Sequence, residues 1–351
     1  MAADSTRPRT SFSTGARLAF RYVLSAFLTV FFLWLAFRGT DFDRLVESMR
    51  GADYWWILLS FVILMISHII RAWRWRYLLE PIKPAIGIRN LFSAVMIGYL
   101  FNNILPRAGE LARPYVIGRE ESISKSAAFG TIVVERIMDT ASFLFLVLII
   151  PFVYDGPLRE SFPWLTEAGV IISLGTGGVL VLLIVMMLRR DWTDRLLRIV
   201  GRLVPKSFEK RVEGFVHSFL DGLLFVKRPG RFLIIGISSI IIWALYVLMV
   251  YTAFFAFHLE DRLGIGSAVV LQAISSIGVA IPTPGSTGSY HAFAAQTLTK
   301  LFSVDGAVAL SYATVTHAAG FVGTTIIGLV YFFRDNITLS AAVGKSDSEE
   351  T

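Results

Sequence analysis

The chain has 351 residues, of which 55% are hydrophobic and 17% are charged, with a mean hydropathy of +0.64 and a formal net charge of +7. These values lie outside the range of a soluble globular domain and indicate an integral membrane protein. The chain contains no cysteine, which excludes disulfides, thiolate catalysis and metal sites with cysteine ligands. We expect no nucleic acid partner, because the basic residues are concentrated in the segments that connect apolar runs.

Six apolar segments are long enough to cross the hydrocarbon core of a bilayer, for which about 18 residues suffice. The sequence therefore predicts an all-α integral membrane protein with about six full spans. The predicted spans are Leu18–Phe37, Tyr54–Ile70, Ala127–Tyr154, Ala168–Leu188, Phe232–Phe257 and Gly306–Phe333. The first is predicted to be a retained span, because it is too long for a signal peptide and lacks a small-residue cleavage site.

The distribution of Lys and Arg predicts the orientation, because basic connecting segments stay in the cytoplasm. The N-terminus and the segments 71–90 and 189–231 are rich in these residues, whereas the other connections are poor in them. We therefore expect a multi-pass membrane protein with both termini cytoplasmic. The leading hypothesis places it in the cell (inner) membrane of a prokaryote.

This orientation leaves two apolar stretches that must turn back within the membrane. The first runs over Ile88–Leu105, breaks at Pro106-Arg-Ala-Gly109 and returns over 111–118. The second runs over Gly264–Ile281, breaks at Pro282-Thr-Pro-Gly285 and returns over 290–302. Proline ends a helix and glycine permits a tight turn. The sequence thus predicts two opposed re-entrant helical hairpins, one entering from each side.

The flanking spans complete a predicted inverted repeat within a single membrane domain, 1–334. The first repeat covers 54–154 and the second covers 232–333. Interrupted segments at corresponding positions of such a repeat indicate a transporter site near the bilayer midplane. Between the repeats, 189–231 has an amphipathic stripe, which predicts either a helix on the inner leaflet or a linker packed under the bundle. The chain ends in a short polar tail, 335–351, of which Lys345–Thr351 is predicted to be disordered and solvated.

The first break carries a group of polar residues that could bind an anion. They are Asn102, Asn103, Arg107, Glu110 and Arg113. The planar guanidinium of arginine suits a phosphate, and the free N–H groups of a broken helix favour an anion. Glu110 could hold Arg113 in place. The alternative is an ion pair at the membrane interface where the hairpin emerges.

A second group, Glu135, Arg136 and Asp139, lies within an apolar span, where charges are costly and are usually functional. It could be an ion-pair knot against the hairpin, or a relay for protons or substrate. The preceding stretch 71–77 alternates aromatic residues with arginines, which is typical of an anchoring belt at the interface.

A third group surrounds the second break and is rich in hydroxyls. Its members are Thr283, Ser286, Thr287, Ser289 and His291. The hydroxyls could bind headgroup oxygens, and His291 could couple to protons near neutral pH or could simply be hydrogen-bonded. His68 and His317, each alone in an apolar span, are predicted to be packing or hydrogen-bonding residues. The chain shows no motif for nucleotide hydrolysis, a nucleophilic serine or a catalytic metal, so we expect no enzyme activity, cofactor or metal.

These three groups, in this order, resemble the flippase-like family typified by the transmembrane half of lysyl-phosphatidylglycerol synthase. The resemblance covers roughly residues 23–334 and implies a membrane domain that moves an aminoacylated phospholipid from the inner to the outer leaflet. The soluble aminoacyl-transferase domain of the full-length synthase is expected to be absent, so lipid synthesis is not implied.

The leading hypothesis is a flippase or scramblase for an anionic phospholipid or lipid-linked headgroup, in which Arg107 and Arg113 bind phosphate. The alternatives are a membrane-embedded transferase that uses Glu135, Asp139 or His291, and an accessory or scaffold subunit. The partners expected are an anionic membrane lipid and either a second copy of the chain or a lipid-biosynthetic enzyme.

Overall fold

The computed structural model describes residues 14–156 and 229–337, with a few isolated positions between them. In these ranges the chain forms ten α-helices, one short 3-10 helix over Pro284–Ser286 and no strand. The all-helical prediction is therefore confirmed for this part of the chain. The helices are α1 (Thr14–Phe37), α2 (Phe42–Arg50), α3 (Tyr54–Leu79), α4 (Ile88–Ile104), α5 (Gly109–Glu120), α6 (Lys125–Val153), α7 (Pro229–Ala256), α8 (Ile265–Ala280), α9 (Ser289–Lys300) and α10 (Gly306–Arg334).

Four of the described helices, α3, α6, α7 and α10, are long and apolar enough to cross a membrane. A fifth span results if α1 from Tyr22 onwards and α2, which meet at 88°, are one bent span. The structure thus supports a membrane protein with four or five candidate spans in the described ranges. The predicted span Ala168–Leu188 and all but the last three residues of the amphipathic segment 189–231 lie outside them.

Each predicted hairpin corresponds to a pair of short helices joined by a break, α4 with α5 and α8 with α9, and that either pair is re-entrant stays a prediction. Leu105 and Ile281, which precede Pro106 and Pro282, have extended backbones, as expected for residues before proline. Within each pair the two helices pack against each other, α4 against α5 and α8 against α9. Whether the pairs enter a membrane from opposite sides stays a prediction.

The helices of the two halves pack in corresponding ways. The long helices α3 and α7 lie against each other. Beyond that pair, α4 packs on α10, the last helix of the second half, while α8 packs on α6, the last helix of the first half. Each hairpin is therefore held by the closing helix of the other half.

Glycine allows the first hairpin to close. A Cβ at Gly109 would lie 2.1 Å from the carbonyl oxygen of Gly98, so the two helices meet through their backbones. In the second hairpin, a Cβ at Gly278 would lie 2.9 Å from the carbonyl oxygen of Ser289. The two contacts have the same separation along the chain, which brings each break to the end of a tightly packed helix pair.

The last described residues, 335–337, contact the first half of the protein. Asp335 accepts a hydrogen bond from Ser93 of α4, and the backbone carbonyl of Asn336 accepts one from Arg119. Ile337 is 4% exposed and packs in the hydrophobic cluster of the first half. The predicted polar tail therefore begins with three residues that contact the first half, of which Ile337 is buried and Asn336 is exposed, and its remainder lies outside the described ranges.

Candidate functional site

A cluster of charged side chains lies where α3, α5, α6 and α7 meet. Glu135 and Asp139, one turn apart on α6, both accept hydrogen bonds from Arg71 of α3. Asp139 also accepts one from Arg74 at 2.8 Å. Arg74 and Glu135 are fully buried and Arg71 is 4% exposed. A buried carboxylate pair in a candidate span is thus compensated by arginines from a neighbouring span.

Helix α7 contributes neutral partners to the same arginines. The hydroxyl of Tyr246 lies 3.0 Å from Arg71, and that of Ser239 lies 2.7 Å from Arg74. Because α7 is the first described helix of the second half, the cluster connects the two halves where α3 and α7 pack together.

Arg113 connects the first hairpin to this cluster. Its two terminal nitrogens each donate a hydrogen bond to one carboxylate oxygen of Glu135, both at 2.9 Å. Its guanidinium also lies 4.3 Å from the ring centroid of Trp75, whose indole N–H donates to Thr131 at 2.8 Å. The fork of Arg113 is therefore oriented by a two-pronged ion pair and a cation–π stack. Arg113 pairs with Glu135 and not, as the spacing suggested, with Glu110.

Arg136 brings the cluster to the protein surface. It donates to Glu135 at 2.7 Å and lies 3.3 Å from Asp139, with 44% of its side chain exposed. Four guanidinium groups thus face two carboxylates, so the cluster has two more positive than negative charges. In addition, the Nε–H groups of Arg71, Arg74 and Arg113 are buried without a hydrogen-bond partner. Excess positive charge and unpaired donors are the features of a site that favours an added anion.

The tips of the two hairpins meet. Arg107, in the first break, has a φ of 62° and its guanidinium lies 3.4 Å from the carbonyl oxygen of Ala280 at the second break. Asn103 donates to Thr325 of α10 at 2.9 Å and lies beside Gly285. Asn102 accepts a hydrogen bond from the backbone N–H of Gly109 at 2.7 Å. The sequence-predicted residues of the two breaks are therefore brought together, with Arg107 exposed between them.

The hydroxyl side chains of the second break make hydrogen bonds within the second hairpin. Thr283 and Ser289 are buried and share a hydrogen bond of 2.9 Å. Ser286 lies 3.4 Å from the carbonyl oxygen of Val279, and Thr287 donates its backbone N–H to Pro284. Thr283 and Ser289 thus shape the break, whereas Ser286 and Thr287 are only half-buried. His291 is buried and its ring lies beside that of His317.

Arg71 and Arg74 were missed as site residues, and their interpretation as part of an interfacial belt is wrong. Both are buried and ion-paired, whereas Trp73 and Arg76 of the same stretch are exposed. The helical spacing carried this signal: residues 71, 74 and 75 fall on one face, and 73 and 76 on others. Pairing that face with the carboxylates of a distant helix required the fold.

Comparison with known proteins gives the family. The model of the lysylphosphatidylglycerol synthase TM region matches residues 21–328. The chain belongs to this family. The match covers every candidate site residue named above and agrees with the resemblance carried by the three sequence groups.

Members of the UPF0104 membrane proteins are similar over nearly the whole chain. One from Methanothermobacter thermautotrophicus is 27% identical over 87% of this chain and 90% of its own length. One from Methanocaldococcus jannaschii is 23% identical over 82% of this chain and 87% of its own, and one from Pyrococcus horikoshii is 24% identical over 89% and 96%. No solved structure matches significantly. Family membership and the apolar helices together establish a membrane protein.

Proposed function

We propose that this protein moves an anionic phospholipid or lipid-linked headgroup between the leaflets of the cell membrane, as a flippase or scramblase. The observation that carries the proposal is the buried cluster around Glu135, in which four arginines face two carboxylates. Uncompensated charge is costly in a membrane domain, so an anion that enters the cluster is stabilised. A phosphate matches the guanidinium fork in charge and shape.

The surroundings of Arg107 support a lipid rather than a soluble anion. The side chain is exposed at the meeting point of the two hairpins. Ile104 and Leu111, which flank the first break, are each 62% exposed, and Val279 beside the second break is 52% exposed. A positive group surrounded by exposed apolar side chains suits an amphiphile, whose phosphate binds the arginine while its acyl chains stay against apolar surface.

Two arginines provide successive contacts for such a headgroup. Arg107 lies at the exposed tip and Arg113 lies six residues along the same hairpin in the buried cluster. Half-exposed Arg136 opens the cluster on the other side of Glu135. In this mechanism the phosphate competes with Glu135 for Arg113, and release of that ion pair frees α5 to move. We propose that the site then opens to one side of the membrane and afterwards to the other, as each hairpin shifts against the closing helix of the other half.

Reconstitution tests the proposal. Proteoliposomes should move a fluorescently labelled phosphatidylglycerol between leaflets, and Arg136→Gln and Arg107→Ala should each slow this movement by about tenfold, the effect of losing one charged contact. Arg89→Ala, which changes an exposed arginine at the far end of α4, is the matched control. No movement of any anionic lipid by the folded wild-type protein would refute the proposal.

The same samples separate transport from chemistry. We propose that the protein is not an enzyme, so mass spectrometry should recover the labelled lipid unchanged. The carboxylate oxygens of Glu135 and Asp139 already accept hydrogen bonds from arginines. A carboxylate that is stabilised in this way is a weak base. A covalently altered lipid would instead identify the transferase alternative.

A further inference from the structure

The second break is held at both ends by histidines that sequence patterns did not pair. The carbonyl oxygen of Gly285 lies 2.8 Å from Nε2 of His317, and the backbone N–H of Gly288 lies 3.3 Å from Nδ1 of His291. His291 is on α9 and His317 is on α10, so each ring ties the break to a different helix. Gly285 and Gly288 both have positive φ, which marks this as the irregular part of the break.

These partners fix the protonation of both rings. A carbonyl oxygen only accepts, so Nε2 of His317 carries a proton; a backbone N–H only donates, so Nδ1 of His291 carries none. The ring centroids are 4.6 Å apart, and His291 is 4% exposed. The structure therefore shows a pair of histidines in which the lone pair of His291 is used to hold the break.

We propose that His291 and His317 form a proton-binding site whose occupation releases the second break. A proton on Nδ1 of His291 removes the acceptor for Gly288 and places a positive charge beside the second imidazole. The balance is simple: one proton enters from solvent, the N–H···N hydrogen bond is lost, and no covalent bond changes. Two imidazolium rings at this separation would also repel each other.

The remaining surroundings do not offset that charge. Tyr290 lies 5.7 Å from the ring of His317 and is hydrogen-bonded to Thr316. Arg107 is the ionisable side chain that the first hairpin brings to the break, and it adds positive charge. On the side of α1, the close neighbours are the backbone at Thr29 and Leu33 and the ring of Phe37. Among the described contacts of the pair there is thus no carboxylate, so protonation is coupled to opening rather than to a new ion pair.

Hydrogen exchange of the purified full-length protein tests the site directly. Between about pH 8 and about pH 5, the range in which an ordinary histidine titrates, protection of the amide of Gly288 should fall by about tenfold, the signature of local opening. The value must be corrected for the intrinsic effect of pH on exchange.

Two substitutions keep the hydrogen bonds and remove the titration. His291→Asn places an amide oxygen near the position of Nδ1, and His317→Gln places an amide N–H near that of Nε2. The double variant should keep the break protected at both pH values. His258→Gln, in an exposed turn, is the matched control and should respond as the wild type does.

Unchanged protection in the wild type across this range would overturn the proposal, as would an identical pH response in the double variant. If the double variant does not fold, the single variant His291→Asn is measured in its place, and a pH response equal to that of the wild type would overturn the proposal. Exchange is measured without lipid movement, so this result stands apart from the transport assay. If the protein transports lipid but shows no such pH response, the proposed proton-binding site is refuted while the proposed transport function stands.

Discussion

The guanidinium of Arg113 donates one hydrogen bond to each carboxylate oxygen of Glu135, both at 2.9 Å. Through this pair, the first hairpin is attached to a carboxylate that also holds Arg71 and Arg136. Glu135 is therefore the shared counter-ion of three helices. The negative charge of Glu135 stabilises the arginines when no ligand is bound. An incoming anion must compete with that charge for the same arginines.

We expect Glu135→Gln to destabilise the protein strongly. The substitution keeps the size of the side chain but leaves three guanidiniums, two of them buried, without their shared anion, and breaking such a network costs about 3–5 kcal/mol. The measurement is the Tm of the detergent-purified protein. Glu110→Gln, on the same hairpin as Arg113, is the control and should shift Tm little. Equal Tm values for the two variants would contradict the role of Glu135.

Arg113→Lys should separate charge from geometry. Lysine keeps the positive charge but cannot make two parallel hydrogen bonds or stack as a planar group on Trp75. We expect lipid movement to fall by about tenfold while the protein stays folded, since about 1.4 kcal/mol corresponds to that factor. Transport by Arg113→Lys at the wild-type rate would show that only the charge matters.

Gly109→Ala should open the first hairpin. The added Cβ would lie 2.1 Å from the carbonyl oxygen of Gly98, which is backbone and must shift. Overpacking of this kind costs about 1–3 kcal/mol, so Tm should fall clearly. Gly87→Ala is the matched control, because nothing lies within 4 Å of the Cβ that it adds. A Tm for Gly109→Ala no lower than that of the control would refute the close backbone contact.

An ion pair outside the candidate spans predicts a pH dependence. Burial alone would raise the pKa of Glu121, but hydrogen bonds from Lys83 and Asn90 outweigh it and lower the pKa. A lowered pKa means that the contribution to stability is present above the ordinary carboxyl pKa and is lost as pH falls through the folded value. Lys83 is 41% exposed, so screening limits the contribution to about 1 kcal/mol or less.

The check is the difference in Tm between the wild type and Glu121→Gln as a function of pH. It should be largest near neutral pH and shrink in acid. A difference that grows on acidification would have the wrong sign for this pair.

The sequence was most informative where a local rule determines the structure. Proline at 106 and 282 located both breaks to within a residue or two, because the residue before proline cannot stay helical without strain. Long apolar runs likewise located α3, α6, α7 and α10. Family membership confirms the resemblance based on the three residue groups.

What depended on packing between distant helices could not be predicted in the same way. Arg71 and its partner Glu135 are 64 residues apart, and Arg74 and Ser239 are 165 apart. No periodicity relates such pairs. His317 was predicted to be a packing or hydrogen-bonding residue, but its partner could not be predicted, because the Gly285 carbonyl becomes available only where the second break is irregular. Arg107 could be placed at a break, but its contact with Ala280 required the meeting of both hairpins.

The separation of Arg71 from Glu135 also bears on how the protein is made. The ribosome completes α3 before α6, so Arg71 and Arg74 emerge before the carboxylates with which they pair, Glu135 and Asp139, have been synthesised. An unpaired arginine at the centre of an inserting helix costs about 2.5–3.5 kcal/mol. We expect the end of α3 to wait at the aqueous boundary until α6 follows it. The order of insertion into the bilayer would then be set by when a counter-ion is synthesised, and not by apolar character alone.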